Sequence, residues 1–170
     1  MTAQANELLE KANIEPEIHE IVNQKVFTEN CGEAKICTLL FVPSIYESSA
    51  EQRKQYLAEF MEVAKKNRKN PVVYFWLAAG DQLDLERKLN LGFGYPAVLA
   101  VSRTKNVVAT VRSSFSVQNT NEFITKVMTG SAAVSPLPQG GLEFKKVAAW
   151  DGKDAPVIEE EPLDYDPADL

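Results

Sequence analysis

The apolar positions of this chain alternate between unbroken runs and stripes of helical period. "KICTLLFV" (35–42) and "VVYFWLA" (72–78) are almost wholly apolar and rich in β-formers, the pattern of strands covered on both faces. Between them, "SSAEQRKQYLAEFMEVAKKNRKN" (48–70) opens on serine caps and sets Tyr56, Leu57, Phe60, Met61 and Ala64 on one helical face. Its last turns are basic, which suits the helix dipole, and Pro71 follows.

The same alternation runs on either side. "EIHEIV" (17–22) predicts a short strand, and "NQKVFTENCG" (23–32) about two helical turns with Gly32 as C-cap. "GDQLDLERKLN" (80–90) predicts a helix with Asp81 supplying the N-cap oxygen and Leu83, Leu85 and Leu89 its apolar side. "PAVLAVS" (96–102) and "NVVATVR" (106–112) are strands joined by only "RTKN", so they form an antiparallel hairpin. "SVQNTNEFITKVMTG" (116–130) predicts a serine-capped helix that buries Phe123, Ile124 and Val127 and stops at Gly130. The order β-α-β-α-β-α-β-β-α implies the α/β class, with a central mixed sheet flanked by helices.

Composition and charge narrow the picture. A chain of 170 residues suits one domain with appendages. The net charge of −6 is concentrated at the end: residues 151–170 carry eight acids and one base, which leaves 16 acids and 17 bases before them. No basic face suited to nucleic acid is present, and no apolar run reaches the roughly 18–20 residues of a membrane span. The organisation that follows is an N-terminal extension (1–16), an α/β domain (17–130), an extension over the surface (131–150) and an acidic tail (151–170). "SAAVSPLPQGGLEF" has no period, and Phe144, Val147 and Trp150 are the residues able to pin it to the domain. The tail is too acidic and too proline-interrupted to bury the apolar area that order requires.

Candidate chemistry is sparse. A single histidine and no nucleophile-elbow motif exclude a Ser-His-Asp hydrolase. His19 reads as a surface or hydrogen-bonding residue and Trp76 as core. Cys31 and Cys37, the only cysteines, stand just before and at the start of the first long apolar run. They are open to four readings: a structural disulfide, a redox-regulatory pair, two separate packed thiols, or half of a zinc site completed by His19 or carboxylates.

Some residues carry a resemblance. Pro96 in "GFGYPAVLAVS" opens the penultimate strand, where thioredoxin-like folds keep a cis-proline. The stretch "RKNPVVYFWLAAGDQLDLERKLNLGFGYPAVLAV", followed by "SSF", then "WDGKDA" and an acidic end, resembles the C-terminal non-catalytic b domain of the a-a-b type of protein disulfide isomerase. The likeness covers roughly residues 17 to 160 and implies a thioredoxin-like fold.

The resemblance also implies a function. Catalytic domains of that family carry C-x-x-C where the second strand enters the long helix; here the segment is "VPSIYESSAEQ", and Tyr46 to Ser49 include no cysteine. This segment therefore forms no attacking thiolate. The implied role is that of a redox-inactive domain in the endoplasmic reticulum lumen. It would bind unfolded or partly folded secretory proteins or lumenal chaperones and position catalytic domains lying upstream. The parent would be the enzyme and this fragment would not. Under this reading Cys31–Cys37 is a structural disulfide and Pro96 a cis-proline, while Tyr46 and Tyr95 are either loop-packing tyrosines or a remnant peptide-binding surface. No metal site or other cofactor is expected beyond weak Ca²⁺ binding by Glu159, Glu160, Glu161, Asp164 and Asp166. The family commonly ends in a lysine-aspartate-glutamate-leucine type retention signal; this chain ends "DPADL" and opens without a secretory signal peptide. The competing reading is a structural thioredoxin-like interaction domain unrelated to oxidative folding.

Overall fold

The computed structural model describes residues 15–33, 35–111 and 113–157. The tail carboxylates Glu159, Glu160, Glu161, Asp164 and Asp166, and most of the N-terminal extension, lie outside them. Two buried runs form the centre. β2 (Ile36–Val42) and β3 (Val72–Ala78) pair in parallel, with Leu39 opposite Phe75 and Leu40 opposite Trp76. β1 (Ile18–Glu20) lies parallel on the outer side of β3, and β4 (Ala97–Ser102) antiparallel on the free side of β2. β5 (Val107–Thr110) closes the predicted hairpin. The order among the described residues is β1-β3-β2-β4-β5-β6, where β6 (Ser135–Pro136) is a short edge strand contributed by the extension that was expected to be irregular. Proline is tolerated there because an edge strand has no partner waiting for its missing N–H.

The two faces of the sheet bury separate clusters, as the period-two alternation of strands requires. Cys37, Leu39 and Phe41 meet Phe75, Leu77, Leu99 and Phe27, the last from α1 (Gln24–Asn30). Leu85 and Leu89, from α3 (Leu83–Lys88) and its C-cap, and Leu137, Leu142 and Phe144 of the extension complete this side. On the other face Leu40, Val42, Tyr74 and Trp76 meet Phe60, Val63 and Ala64 of α2 (Ala50–Lys66) and Ile124 of α4 (Val117–Met128). The sheet is thus sandwiched between helices, and the mixed α/β architecture is the one the alternation implied.

Several helix details differ from the sequence reading. α1 is capped by Cys31 rather than Gly32, its N–H bonding the Phe27 carbonyl, so the disulfide cysteine ends the helix. α2 stops at Lys66, because Asn67 folds its amide back onto the Val63 carbonyl and across to Asn121. In α4 the fully buried residues are Thr120 and Ile124, while Phe123 and Val127 are only partly covered. α3 is not capped by Asp81: its N-cap is Gln82, without a side-chain bond, and Leu83 points outward at 56% exposure. A buried glutamate holds the loop before the helix instead.

Candidate functional site

The chemistry-bearing end of the fold is where β2 and β3 finish and β4 begins. α2 starts here on a reciprocal capping box: Ser49 Oγ accepts the Gln52 N–H at 3.1 Å, and the Ser49 N–H donates to Gln52 Oε1 at 2.9 Å. The next helical N–H, that of Ala50, donates to Asp154 Oδ1 at 2.6 Å. A nucleophile drawing on this helix dipole would have to stand at the positions these groups occupy, and both hold oxygen acceptors. Ser48 Oγ donates to the Ser44 carbonyl at 2.9 Å and is likewise committed. Tyr46, in the loop between, is 71% exposed.

One turn into α2, Arg53 occupies a position that the apolar stripe would have given to a hydrophobe. It is 3% exposed. Its Nη2 donates to the Pro43 carbonyl at 3.0 Å, and its guanidinium lies 5.7 Å from the Trp76 ring and 5.0 Å from the Trp150 ring. The two indoles meet edge to face, with centroids 6.0 Å apart. Glu20, on β1, accepts the Trp150 backbone N–H at 2.9 Å. Burial pushes the Glu20 carboxyl above the ordinary carboxylate range, against the pull of the Trp150 N–H and Arg53. Asp81 is raised as well: it reaches the surface, yet the packed chain around it removes part of its hydration, and Glu86 repels it while Arg53 draws it down. Arg53 itself is lowered by burial, with Asp81 and Glu20 opposing.

The second buried charge holds the other loops. Glu86, on α3, accepts the Gly80 N–H with both oxygens at 2.9 and 3.1 Å, the Gln82 N–H at 3.1 Å and the Tyr95 hydroxyl at 2.5 Å. Glu86 therefore fastens the loop that leads into α3, and no side-chain oxygen caps its first turn. Tyr95 does not face outward: its ring packs near Phe41, and burial first, then Glu86, raises its phenol above the usual range. The Tyr95–Pro96 peptide bond is cis. Tyr46 and Tyr95 thus leave loops at the same end of adjacent strands, but only Tyr46 presents its ring to solvent.

Cys31 and Cys37 lie at the opposite end of β2. They are joined as a disulfide, fully buried, and neither is a free thiol. Cys37 precedes Val42, the last residue of β2, by five positions, which places the bond about 17 Å from the strand end that leads to Ser49. Arg103 Nη1 donates to the Cys31 carbonyl at 2.7 Å and ties the disulfide loop to the β4–β5 hairpin. Among the described residues no group of three or more His, Cys, Asp or Glu side chains converges as a metal site would.

The extension and the start of the acidic segment complete the site. Phe144 is buried against Phe27, Val147 donates its N–H to the Val22 carbonyl at 2.9 Å, and Trp150 stacks as described. The acidic segment does not leave the domain at Asp151: its first residues turn back to bring Asp154 onto α2. Sequence reasoning singled out Trp150 but missed Arg53, Glu86 and Asp154. The signal for Arg53 was its place in the register of Tyr56, Leu57 and Phe60, where a cation has no reason to stand unless it is paired.

Comparison with known proteins bears on this arrangement. The model of the PDIA6-like, C-terminal thioredoxin-like domain family matches residues 8–132. The chain belongs to this family. Members and relatives include Protein disulfide-isomerase 2-3 of Arabidopsis thaliana, 39% identical over 163 residues, covering 95% of this chain and 37% of that protein. Protein disulfide-isomerase A6 of Homo sapiens is 33% identical over 159 residues, covering 91% and 36%. The chain therefore spans little more than a third of the curated relatives it matches. Among solved structures, the bb fragment of ERp72 superposes with a TM-score of 0.55 at 11% identity, covering 78% of this chain and 58% of that one. Chloroplastic thioredoxin z gives 0.51 at 11% identity, covering 69% and 100%. These two likenesses establish the thioredoxin-like fold.

Proposed function

We propose that this PDIA6-like domain is the redox-inactive module of a protein disulfide isomerase that assists disulfide formation and folding of secretory proteins in the endoplasmic reticulum lumen. In this reading it binds clients or partner chaperones and holds catalytic domains lying upstream in position. The observation that carries the reading is the N-terminus of α2: Ser49 and Asp154 occupy its N–H groups, and the chain's two cysteines are locked together at the far end of β2. Disulfide exchange needs a thiolate, and the domain has no free thiol from which to make one. The acidic tail would add weak Ca²⁺ attraction without a defined site.

The test is a disulfide isomerase of this type assayed with and without residues 15–157 on a scrambled, disulfide-containing client. Removal is expected to raise KM and leave kcat nearly unchanged, because the lost groups bind and position without reacting. A kcat that collapses on removal while KM holds would refute the division of labour.

A further inference from the structure

Residues 150–154 lie on the domain as a bound peptide would. Trp150 enters a cradle made by Trp76 of β3 and Arg53 of α2, and its backbone N–H is taken by Glu20 of β1. Four residues on, Asp154 meets the Ala50 N–H at the start of α2. Between these two anchors the segment bonds only to itself, Trp150 Nε1 to the Lys153 carbonyl at 3.0 Å and the Lys153 N–H to Asp151 Oδ1 at 2.9 Å. Val147 is the preceding backbone anchor, and Ala148 and Ala149 between it and Trp150 are exposed.

The receiving groove has a recognisable chemistry. A guanidinium beside an indole face takes an aromatic ring, a carboxylate takes one backbone N–H, and a helix N–H takes a carboxylate. Arg53 Nε is buried and has no hydrogen-bond partner, so the cradle keeps a donor that the segment does not use.

We infer that residues 150–154 are an internal ligand plugging a recognition groove, and that the groove accepts in trans a partner segment of the same chemistry: an aromatic side chain followed four residues later by a carboxylate. The inference rests on the protein-binding part of the function proposed above and names how that binding is regulated. The tethered segment competes at an effective concentration on the order of millimolar, so only a partner that binds better, or one present after the plug is loosened, occupies the groove.

The experiment uses the full 170-residue chain, and the probe is a fluorescently labelled peptide of residues 147–156, "VAAWDGKDAP". Its binding is followed by anisotropy to the wild-type chain and to the Trp150→Ala and Asp154→Ala variants. Folding of each variant is checked by far-UV circular dichroism; Asp154→Ala, which removes only an exposed side chain, carries the test if Trp150→Ala does not fold. The expected result is binding about tenfold or more tighter to the variants than to wild type, as removal of a tethered competitor requires. It is abolished in a peptide whose tryptophan and second aspartate are replaced by alanine. Equal binding to all three chains, or none to a folded variant, would overturn the inference. So would dimerisation of the wild-type chain through this segment, since the occupant would then be a second copy. A denatured client that still binds while the peptide does not would remove the groove and leave the proposed function standing.

Discussion

Replacing Glu86 by alanine removes one acceptor that serves three donors at once, the Gly80 and Gln82 N–H groups and the Tyr95 hydroxyl. A hydrogen bond to a charged group contributes about 1.5–3 kcal/mol, and a buried donor left unpaired costs about 1–3 kcal/mol. The carboxylate's own desolvation and entry of water into the truncated site offset part of the sum, so the expected net loss is about 3 kcal/mol. Measured by urea unfolding with tryptophan fluorescence, that loss moves the midpoint down by about 1–2 M at unchanged m. Tyr95→Phe removes one of the three bonds and should cost about 1–2 kcal/mol. Because the two residues share a bond, the double variant should lose less than the sum of the singles, with a coupling of about 1 kcal/mol. A Glu86→Ala loss below about 1 kcal/mol, or strict additivity with Tyr95→Phe, would show that Glu86 does not hold the three loops together.

Two further outcomes follow from the same structure. Joint replacement of Cys31 and Cys37 by alanine, or their reduction, opens a loop of sequence separation 6 and should cost about 2 kcal/mol; thiol titration of the unfolded, unreduced chain should find no free thiol, and two free thiols would contradict the bond. Glu20 and Asp81 hold their protons to higher pH folded than unfolded, so their contribution to stability is full below the unfolded values of about 4 and is lost as pH rises through the folded ones. The stability of the wild-type chain relative to Glu20→Gln should therefore increase as pH is lowered from 7 to 4, read from thermal melts; a change in the opposite direction would mean that the Arg53 pairing outweighs burial at Glu20.

The fold was legible because its core elements are long and strongly patterned. The runs at 35–42 and 72–78 could only be covered strands, and the four-residue link at 103–106 could only be a hairpin. Capping was less legible where two acceptors competed. Asp81 and Glu86 both suit the approach to α3, and only packing shows that the longer side chain reaches back under the loop while Asp81 makes no cap bond. The vacant C-x-x-C position was plain in "VPSIYESSAEQ", since absence of a cysteine is a statement of sequence. What fills that position was not, because Asp154 meets Ala50 across 104 residues, and in an acidic tail one aspartate looks like another. Tyr95 illustrates the same limit: its place before Pro96 was visible, but its inward turn depends on Glu86.

The central proposal is that this domain carries out no disulfide chemistry. The direct measurement is turnover of insulin reduction by the purified chain in dithiothreitol, beside a thioredoxin domain that carries C-x-x-C. The chain should not exceed the dithiothreitol background at any concentration at which the catalytic domain is active, because its two cysteine sulfurs are buried and paired about 17 Å from the helix terminus that would activate one. Turnover that scales with the concentration of this chain and disappears in a Cys31→Ala, Cys37→Ala variant would contradict it.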